Sequence, residues 1–103
     1  MSFKNYLADQ AKEAYDKRVE FIDIREQEEF DQARIPGAKL LPMSEINRRI
    51  DELPKDREVV IYCRTGNRSS YLLTILVQHG FSNLINLDGG IVDWHGRGYP
   101  VEE

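Results

Sequence analysis

The sequence has 103 residues, of which 41% are hydrophobic and 31% are charged, and its formal net charge is −4 at pH 7. The length predicts a single domain over residues 1–103, and the acidic balance argues against a nucleic-acid partner. We expect no membrane partner and a cytoplasmic location, because no apolar run approaches the roughly 20 residues of a bilayer span, residues 1–5 lack the apolar run of a signal peptide, and the lone cysteine cannot form an internal disulfide.

Helices and strands alternate in the first half of the chain. Side-chain patterns predict a helix over residues 4–16, a strand over 19–24, a short acidic helix over 26–33 and a brief strand over 39–41. Ser44 is the predicted N-cap of a helix over residues 45–53, which Pro54 ends. This alternation is typical of an α/β protein.

The second half continues the same alternation. It predicts a strand over residues 58–62, a helix over 69–79, a strand over 83–87 and a last helical turn over 91–95. A largely parallel sheet follows from this order, and ligands of such sheets bind beyond the carboxyl ends of the strands. We therefore expect residues 23–25, 63–69 and 88–90 to meet at one rim.

The only cysteine, Cys63, stands where a predicted strand gives way to a helix. Backbone N–H groups and the helix dipole favour negative charge there, and two arginines flank the thiol. Such surroundings lower a cysteine pKa from about 8.5 toward roughly 3.5–7.5. A lone cysteine is more often a small buried hydrophobe, but the polar, glycine-containing run after it favours a reactive or anion-binding site. The candidate site is Cys63 as nucleophile with an anion-binding loop of Arg64, Thr65, Gly66, Asn67, Arg68 and Ser69.

Four separated motifs resemble the rhodanese (sulfurtransferase) domains. They are Phe21-Ile22-Asp23-Ile24-Arg25-Glu26 with Glu29-Phe30, Ile35-Pro36-Gly37-Ala38, the stretch from Val60 to Ser69, and Asn86-Leu87-Asp88-Gly89-Gly90 with Trp94 and Gly98-Tyr99-Pro100-Val101. The resemblance implies a five-stranded parallel sheet flanked by helices on both faces, with Cys63 as the residue that carries sulfur. One departure is Ala33-Arg34, where family members usually have Gly-His. It puts any role of that histidine in doubt here.

The resemblance implies a sulfurtransferase of the thiosulfate sulfurtransferase class that forms a persulfide on Cys63. Expected donors are thiosulfate, polysulfide and low-molecular-weight persulfides, and expected acceptors are thiols, cyanide in an assay, and thioredoxin-like or other sulfur-relay proteins. Gly66 is expected at positive φ, and Arg64 is expected to draw in anionic donors. Arg68 is expected to close the loop against Asp23 or another inner carboxylate, with Asp23 and Arg25 in supporting roles.

Two other functions stay open beside sulfur transfer. Rhodanese-like domains also occur as non-catalytic interaction or sulfur-carrier modules, although inactive forms usually lack the cysteine. Phosphatases of the Cdc25 type and arsenate reductases use five residues between cysteine and arginine, whereas Cys63 and Arg68 enclose four. The tighter ring of N–H groups favours a terminal sulfur over a tetrahedral oxyanion.

The remaining conspicuous residues have structural interpretations. His79 is expected to cap a helix, His95 to lie at the surface and Trp94 to anchor the core. Two isolated histidines and one cysteine lack metal-ligand spacing, so neither a metal nor another cofactor is predicted. The acidic run 26–31 is expected to be a solvated helix face, and Gly89-Gly90 a turn near the loop.

Overall fold

The computed structural model describes residues 3–103 and contains one five-stranded parallel sheet. Met1 and Ser2, part of the N-terminal segment considered above, lie outside the described residues. The strands are β1 (Lys4–Tyr6), β2 (Glu20–Asp23), β3 (Lys39–Leu40), β4 (Val59–Tyr62) and β5 (Leu84–Leu87). Their order across the sheet is β1-β5-β4-β2-β3. The predicted α/β class and parallel sheet are confirmed.

Within residues 3–103, four α-helices connect and cover the strands. They are α1 (Ala8–Asp16), α2 (Gln27–Gln32), α3 (Asn67–Gln78) and α4 (Gly90–Gly96). The sheet can be covered on both faces because alternate residues of each central strand point to opposite sides. Val59 and Ile61 pack with α3 residues such as Leu73, whereas Val60 and Tyr62 join a second cluster. That second cluster holds α1 and α4 residues, including Ala11, Ala14, Ile91 and Trp94.

The predicted helix over residues 4–16 is wrong in its first turn. Lys4–Tyr6 instead form β1, which pairs with β5 in the register Asn5 with Asn86. The helix begins at Ala8, after an extended Leu7 whose backbone N–H donates to the Gln10 side chain at 3.0 Å. Pairing with the edge of β5 therefore outweighs local helical spacing in this segment.

The predicted helix over residues 45–53 is also wrong. Two 3₁₀ turns, Met43–Glu45 and Ile50–Glu52, replace it. The Met43 backbone N–H donates to the Ile24 carbonyl at 2.9 Å, which ties the start of this segment to the end of β2. Ser44 is not a helix cap, since its hydroxyl donates to Glu26 at 2.8 Å. The buried Ile46 and Leu53 still reach the core without a continuous helix.

The predicted meeting of three strand ends at one rim is confirmed. β2, β4 and β5 are adjacent and parallel, so their carboxyl ends face the same edge of the sheet. Backbone hydrogen bonds join the segments that follow them. The Ile24 N–H donates to the Tyr62 carbonyl at 3.0 Å, and the Ile91 N–H donates to the Cys63 carbonyl at 3.0 Å. Among residues 3–103, no helix is both long and apolar enough to cross a bilayer.

Candidate active site

Cys63 lies at the bottom of a tight loop between β4 and α3. Cys63 is 1% exposed and belongs to the apolar cluster that includes Ile61 and Leu72. The sulfur nevertheless faces hydrogen-bond donors. The backbone N–H of Gly66 donates to Sγ at 3.1 Å and that of Ser69 at 3.4 Å. The Ser69 hydroxyl oxygen lies 3.4 Å from the same sulfur. The cysteine is therefore buried, as a structural cysteine would be, yet its sulfur lies in a polar cup.

The ionisation of Cys63 follows from two opposing effects. Burial disfavours the thiolate, and the hydrogen bonds from the Ser69 hydroxyl and from the backbone of Ser69, Gly66 and Thr65 favour it. The hydrogen bonds together outweigh burial, so the pKa of Cys63 is lowered. The sulfur also lies at the N-terminus of α3, where the helix dipole stabilises an anion. These surroundings increase the share of the thiol that is a nucleophile at neutral pH.

Gly66 allows the loop to close into this cup. It precedes the first turn of α3 and has φ +98°, in the left-handed region that side chains with a Cβ disfavour. A Cβ placed there would lie 3.0 Å from the backbone nitrogen of Gly89. The predicted positive φ of Gly66 is confirmed, and the close approach of the β5–α4 turn adds a second reason for glycine.

Gly90 brings that turn against the loop from the other side. It has φ +61°, and a Cβ there would lie 2.3 Å from the Arg64 carbonyl oxygen. The first N–H groups of α4 donate to loop carbonyls, from Ile91 to Cys63 at 3.0 Å and from Val92 to Arg64 at 3.1 Å. The expected turn near the loop is confirmed. Because these bonds hold the carbonyls away from the cup, they help keep the loop N–H groups directed at the sulfur.

The two loop arginines differ in their surroundings. Arg64 is exposed, as are Thr65 and Asn67. Arg68 forms a bidentate ion pair with Glu29 of α2, with both N–O distances at 3.0 Å. The hydrogen bonds from Arg68 lower the pKa of Glu29. Arg68 thus joins the loop to α2, and its planar fork is occupied by a carboxylate.

Of the partners expected for Arg68, Asp23 or another inner carboxylate, Asp23 is wrong and the carboxylate that Arg68 binds is Glu29. Asp23 is fully buried and accepts hydrogen bonds from the Arg25 guanidinium, the shortest at 2.7 Å, and from the Arg25 backbone at 2.9 Å. Arg25 also donates to the Ala33 carbonyl at 2.6 Å. The buried pair ties Arg25 to the end of β2, and among residues 3–103 neither side chain forms a hydrogen bond with Cys63 Sγ.

Sequence reasoning missed the partners Glu29, Asn86 and Asn5. The expectation that the acidic run 26–31 is a solvated helix face is wrong for Glu29, because this residue pairs with Arg68. Asn86 is 2% exposed, and its Oδ1 accepts from the Ser69 hydroxyl at 2.5 Å. Its Nδ2 donates to Asn5 Oδ1 at 3.0 Å. A polar residue in the middle of the apolar Leu84–Leu87 strand was the signal that could have identified Asn86.

Residues with structural interpretations lie largely as expected. Trp94 is fully buried, and its indole N–H donates to the Pro100 carbonyl at 2.7 Å. His79 follows α3 as its C-cap, and His95 is exposed. Arg34, at the position of the usual family histidine, stacks on the Phe30 ring and pairs with Glu102 at 3.0 Å. Arg34 therefore joins the C-terminal segment, through Glu102, to α2, through Phe30.

Comparisons with known proteins agree with this architecture. The chain is 47% identical to a sulfurtransferase of Allochromatium vinosum over 83 residues, which cover 81% of this chain and 78% of that one. It is 35% identical to the putative sulfur carrier protein YrkF of Bacillus subtilis, covering 80% of this chain and 44% of that protein, so it spans less than half of that relative. The crystal structure of a rhodanese-related protein from Thermoplasma volcanium superposes with a TM-score of 0.89 at 30% identity, covering 97% of this chain and 98% of that one.

The family model of the rhodanese-like domain matches residues 7–97, which is most of the chain. That match includes the cysteine loop, both rim segments beside it and α4. The chain therefore belongs to the rhodanese-like domain family, whose relatives include proteins named sulfurtransferases.

Proposed function

We propose that this protein is a sulfurtransferase that moves a sulfane sulfur through a persulfide on Cys63. The observation that carries the proposal is the sulfur of a single buried cysteine facing the N–H groups of Gly66 and Ser69 at 3.1 and 3.4 Å. Such donors stabilise a thiolate, and they stabilise the terminal sulfur of a persulfide in the same way. The sulfurtransferase name of a relative covered over 78% of its length supports the same reaction class.

The reaction is a double displacement with thiosulfate as the assay donor. The Cys63 thiolate attacks the outer sulfur of thiosulfate, a new S–S bond forms, and the bond to the sulfonate sulfur breaks with its electron pair leaving on sulfite. The enzyme then carries a persulfide anion. Cyanide or a thiolate attacks the outer sulfur, forms thiocyanate or a new persulfide, and returns the electron pair to the Cys63 thiolate.

The loop residues have separate roles in this scheme. Arg64 is exposed and attracts an anionic donor to the rim by its charge. Arg68 holds the loop closed through Glu29 and contributes its charge to the field at the sulfur. The backbone from Arg64 to Ser69 forms the cup, with Thr65 and Asn67 on its exposed side. Thiols, polysulfide, low-molecular-weight persulfides and a thioredoxin-like or other sulfur-relay protein are the proposed cellular partners.

A thiocyanate assay tests the proposal. Purified protein is incubated with thiosulfate and cyanide beside Cys63→Ser, and Ser82→Ala serves as a variant at an exposed position outside the loop. The wild type and Ser82→Ala should form thiocyanate at equal rates, and Cys63→Ser should match the uncatalysed reaction. A wild-type rate equal to that of Cys63→Ser would refute catalytic transfer from thiosulfate.

A non-catalytic sulfur carrier is the second candidate, favoured by the similarity to YrkF. A carrier accepts sulfur onto Cys63 but turns over slowly with small acceptors. Stoichiometric persulfide formation without multiple turnovers would favour that role. Hydrolysis of p-nitrophenyl phosphate dependent on Cys63 would instead favour phosphatase chemistry, which the four-residue interval from Cys63 to Arg68 disfavours.

A further inference from the structure

Asn86 is a polar residue in an otherwise apolar buried strand. It is 2% exposed, and its strand neighbours Ile85 and Leu87 are core residues. An amide buried in such a place is costly unless its oxygen and nitrogen both find partners. Asn86 finds them on opposite sides, in the Ser69 hydroxyl at 2.5 Å and the exposed Asn5 side chain at 3.0 Å. These contacts continue to the sulfur, because Ser69 Oγ lies 3.4 Å from Cys63 Sγ.

The Ser69 hydroxyl has one proton and three acceptors around it. The acceptors are Asn86 Oδ1 at 2.5 Å, the Gly66 carbonyl at 3.2 Å and Cys63 Sγ at 3.4 Å. When Cys63 is a thiol, its S–H can donate to Ser69 while the hydroxyl donates to Asn86. A thiolate can only accept. For the Ser69 hydroxyl to donate to the thiolate, as the N–H groups of Gly66 and Ser69 do, its proton turns from Asn86 toward the sulfur. The Ser69 and Asn86 oxygens are then in contact without a proton between them.

A half-turn of the Asn86 side-chain amide removes this conflict. It exchanges Oδ1 for Nδ2, so that the amide donates to Ser69 while the hydroxyl donates to the thiolate. Asn86 Oδ1 then faces Asn5, whose exposed side chain can rotate to present its own N–H. Each contact between Asn5, Asn86, Ser69 and Cys63 keeps one donor and one acceptor, but donor and acceptor are exchanged in all of them. The hydrogen bonds then run toward the sulfur instead of away from it.

We propose that Asn86 is a positioning residue that directs the Ser69 hydroxyl proton, and that the chain Asn5–Asn86–Ser69–Cys63 reverses its hydrogen-bond direction when the sulfur loses its proton. The inference rests on the proposed function only in that both require a thiolate at Cys63. It involves no sulfur donor. In this scheme the exposed amide of Asn5 reports the charge of a buried sulfur at the other end of the chain.

Other charged groups at the rim are kept constant in the test. They are Arg64 and Arg68 of the loop and α3, Asp23 and Arg25 after β2, Glu29 of α2, and Asp88 and Asp93 around the start of α4. None is changed in the variants below, so their electrostatic effects on the sulfur are common to all four proteins. Leucine has the same number and branching of side-chain heavy atoms as asparagine and neither donates nor accepts, so Asn86→Leu removes the hydrogen bonds and keeps the side-chain shape.

The pH dependence of Cys63 alkylation by iodoacetamide is measured in the wild type, Asn86→Leu, Ser69→Ala and the double variant. Hydrogen bonds in a chain that ends on an anion are polarised along its length. Removing the chain therefore destabilises the thiolate more than the thiol and raises the pKa of Cys63. Below the wild-type midpoint, we expect alkylation to slow about tenfold in Ser69→Ala and about threefold in Asn86→Leu. In the Ser69→Ala background, adding Asn86→Leu should not change the alkylation rate further. The inference would be overturned if Asn86→Leu slowed alkylation equally with and without Ser69→Ala, or if Asn86→Leu alone did not slow it.

A second measurement needs no substitution of Asn86 and so does not depend on whether the Asn86→Leu protein folds. The side-chain amide resonances of Asn5 are followed by NMR against pH in the wild type and in Ser69→Ala. They should shift at the midpoint of Cys63 alkylation in the wild type and stay fixed in Ser69→Ala. Resonances that stay fixed in both proteins, or shift in both, would contradict the reversal. Thiocyanate formation with a fixed Asn5 resonance refutes this inference alone, and a shifting resonance without sulfur transfer refutes the proposed function alone.

Discussion

Replacing Gly90 by alanine should damage the sulfur cup from outside the cysteine loop. The new Cβ would lie 2.3 Å from the Arg64 carbonyl oxygen and 2.7 Å from that of Cys63. Both atoms belong to the backbone, so the contact cannot be relieved by rotating a side chain. Either the loop or the start of α4 must move, which weakens the hydrogen bonds from Ile91 and Val92 to these carbonyls.

Gly80 provides the matched control. It has φ +93°, compared with +61° at Gly90, and a Cβ there has no atom within 4 Å among the described residues. Gly80→Ala should therefore cost only the left-handed backbone strain of about 1–2 kcal/mol. Gly90→Ala should cost that strain together with roughly 1–3 kcal/mol of overpacking against the loop. Since the control has the less favourable φ for alanine, any excess in Gly90→Ala comes from the contact.

Two assays measure the difference. Urea unfolding followed by the fluorescence of the buried Trp94 gives the free energy of unfolding, and iodoacetamide alkylation against pH gives the ionisation of Cys63. Gly90→Ala should be less stable than Gly80→Ala and should raise the pKa of Cys63 toward that of a free thiol. Equal stability of the two variants together with an unchanged Cys63 pKa would refute the argument that the β5–α4 turn holds the loop.

Three further changes test other contacts. Glu29→Gln should lower the free energy of unfolding by about 0.5–1 kcal/mol at neutral pH, because the pair with Arg68 is partly exposed. Since Arg68 lowers the pKa of Glu29, this stabilisation exists above the ordinary glutamate pKa and is lost as the pH falls through the lowered value. In urea unfolding, the free energies of the wild type and Glu29→Gln should therefore become equal in acid. A difference between the two free energies that stays constant with pH would contradict this reasoning. Arg64→Glu should raise the KM for thiosulfate and change stability by less than about 0.5 kcal/mol, so an unchanged KM in the thiocyanate assay would exclude Arg64 from donor capture. Trp94→Phe should lower the free energy of unfolding by roughly 1–3 kcal/mol, measured by circular dichroism, because it leaves a cavity and removes the hydrogen bond to the Pro100 carbonyl. The pKa of Cys63 should stay unchanged. A shift of that pKa would mean that the core beneath α4 controls the cup.

The parts of the fold that could be predicted are those with a strong local pattern. β4 is a run of four buried apolar residues, and α3 combines apolar spacing with Gly66 before its first turn. The rim followed from the parallel order of these strands. β1 could not be predicted in the same way, because Lys4–Tyr6 carry no alternation of apolar residues and are held as a strand by the edge of β5.

The candidate site shows the same division between local and distant information. The position of Cys63 and the positive φ of Gly66 depend on adjacent residues, so the loop sequence was sufficient. The partners of Arg68 and Ser69 come from α2 and β5, which are far away in the chain. Asp23 and Glu29 were both carboxylates available to Arg68, and only the folded structure shows that Arg25 occupies Asp23. Helical spacing failed at residues 45–53, where the backbone forms the separate 3₁₀ turns Met43–Glu45 and Ile50–Glu52, and the first of these begins at a residue bonded to the end of β2.

Intact-protein mass spectrometry after exposure to thiosulfate tests most directly whether Cys63 carries sulfur. We predict that the wild type gains the mass of one sulfur atom, loses it on treatment with dithiothreitol or cyanide, and that Cys63→Ser gains nothing. A wild type that stays at its original mass while its thiol remains open to iodoacetamide, or an equal gain in Cys63→Ser, would contradict the account.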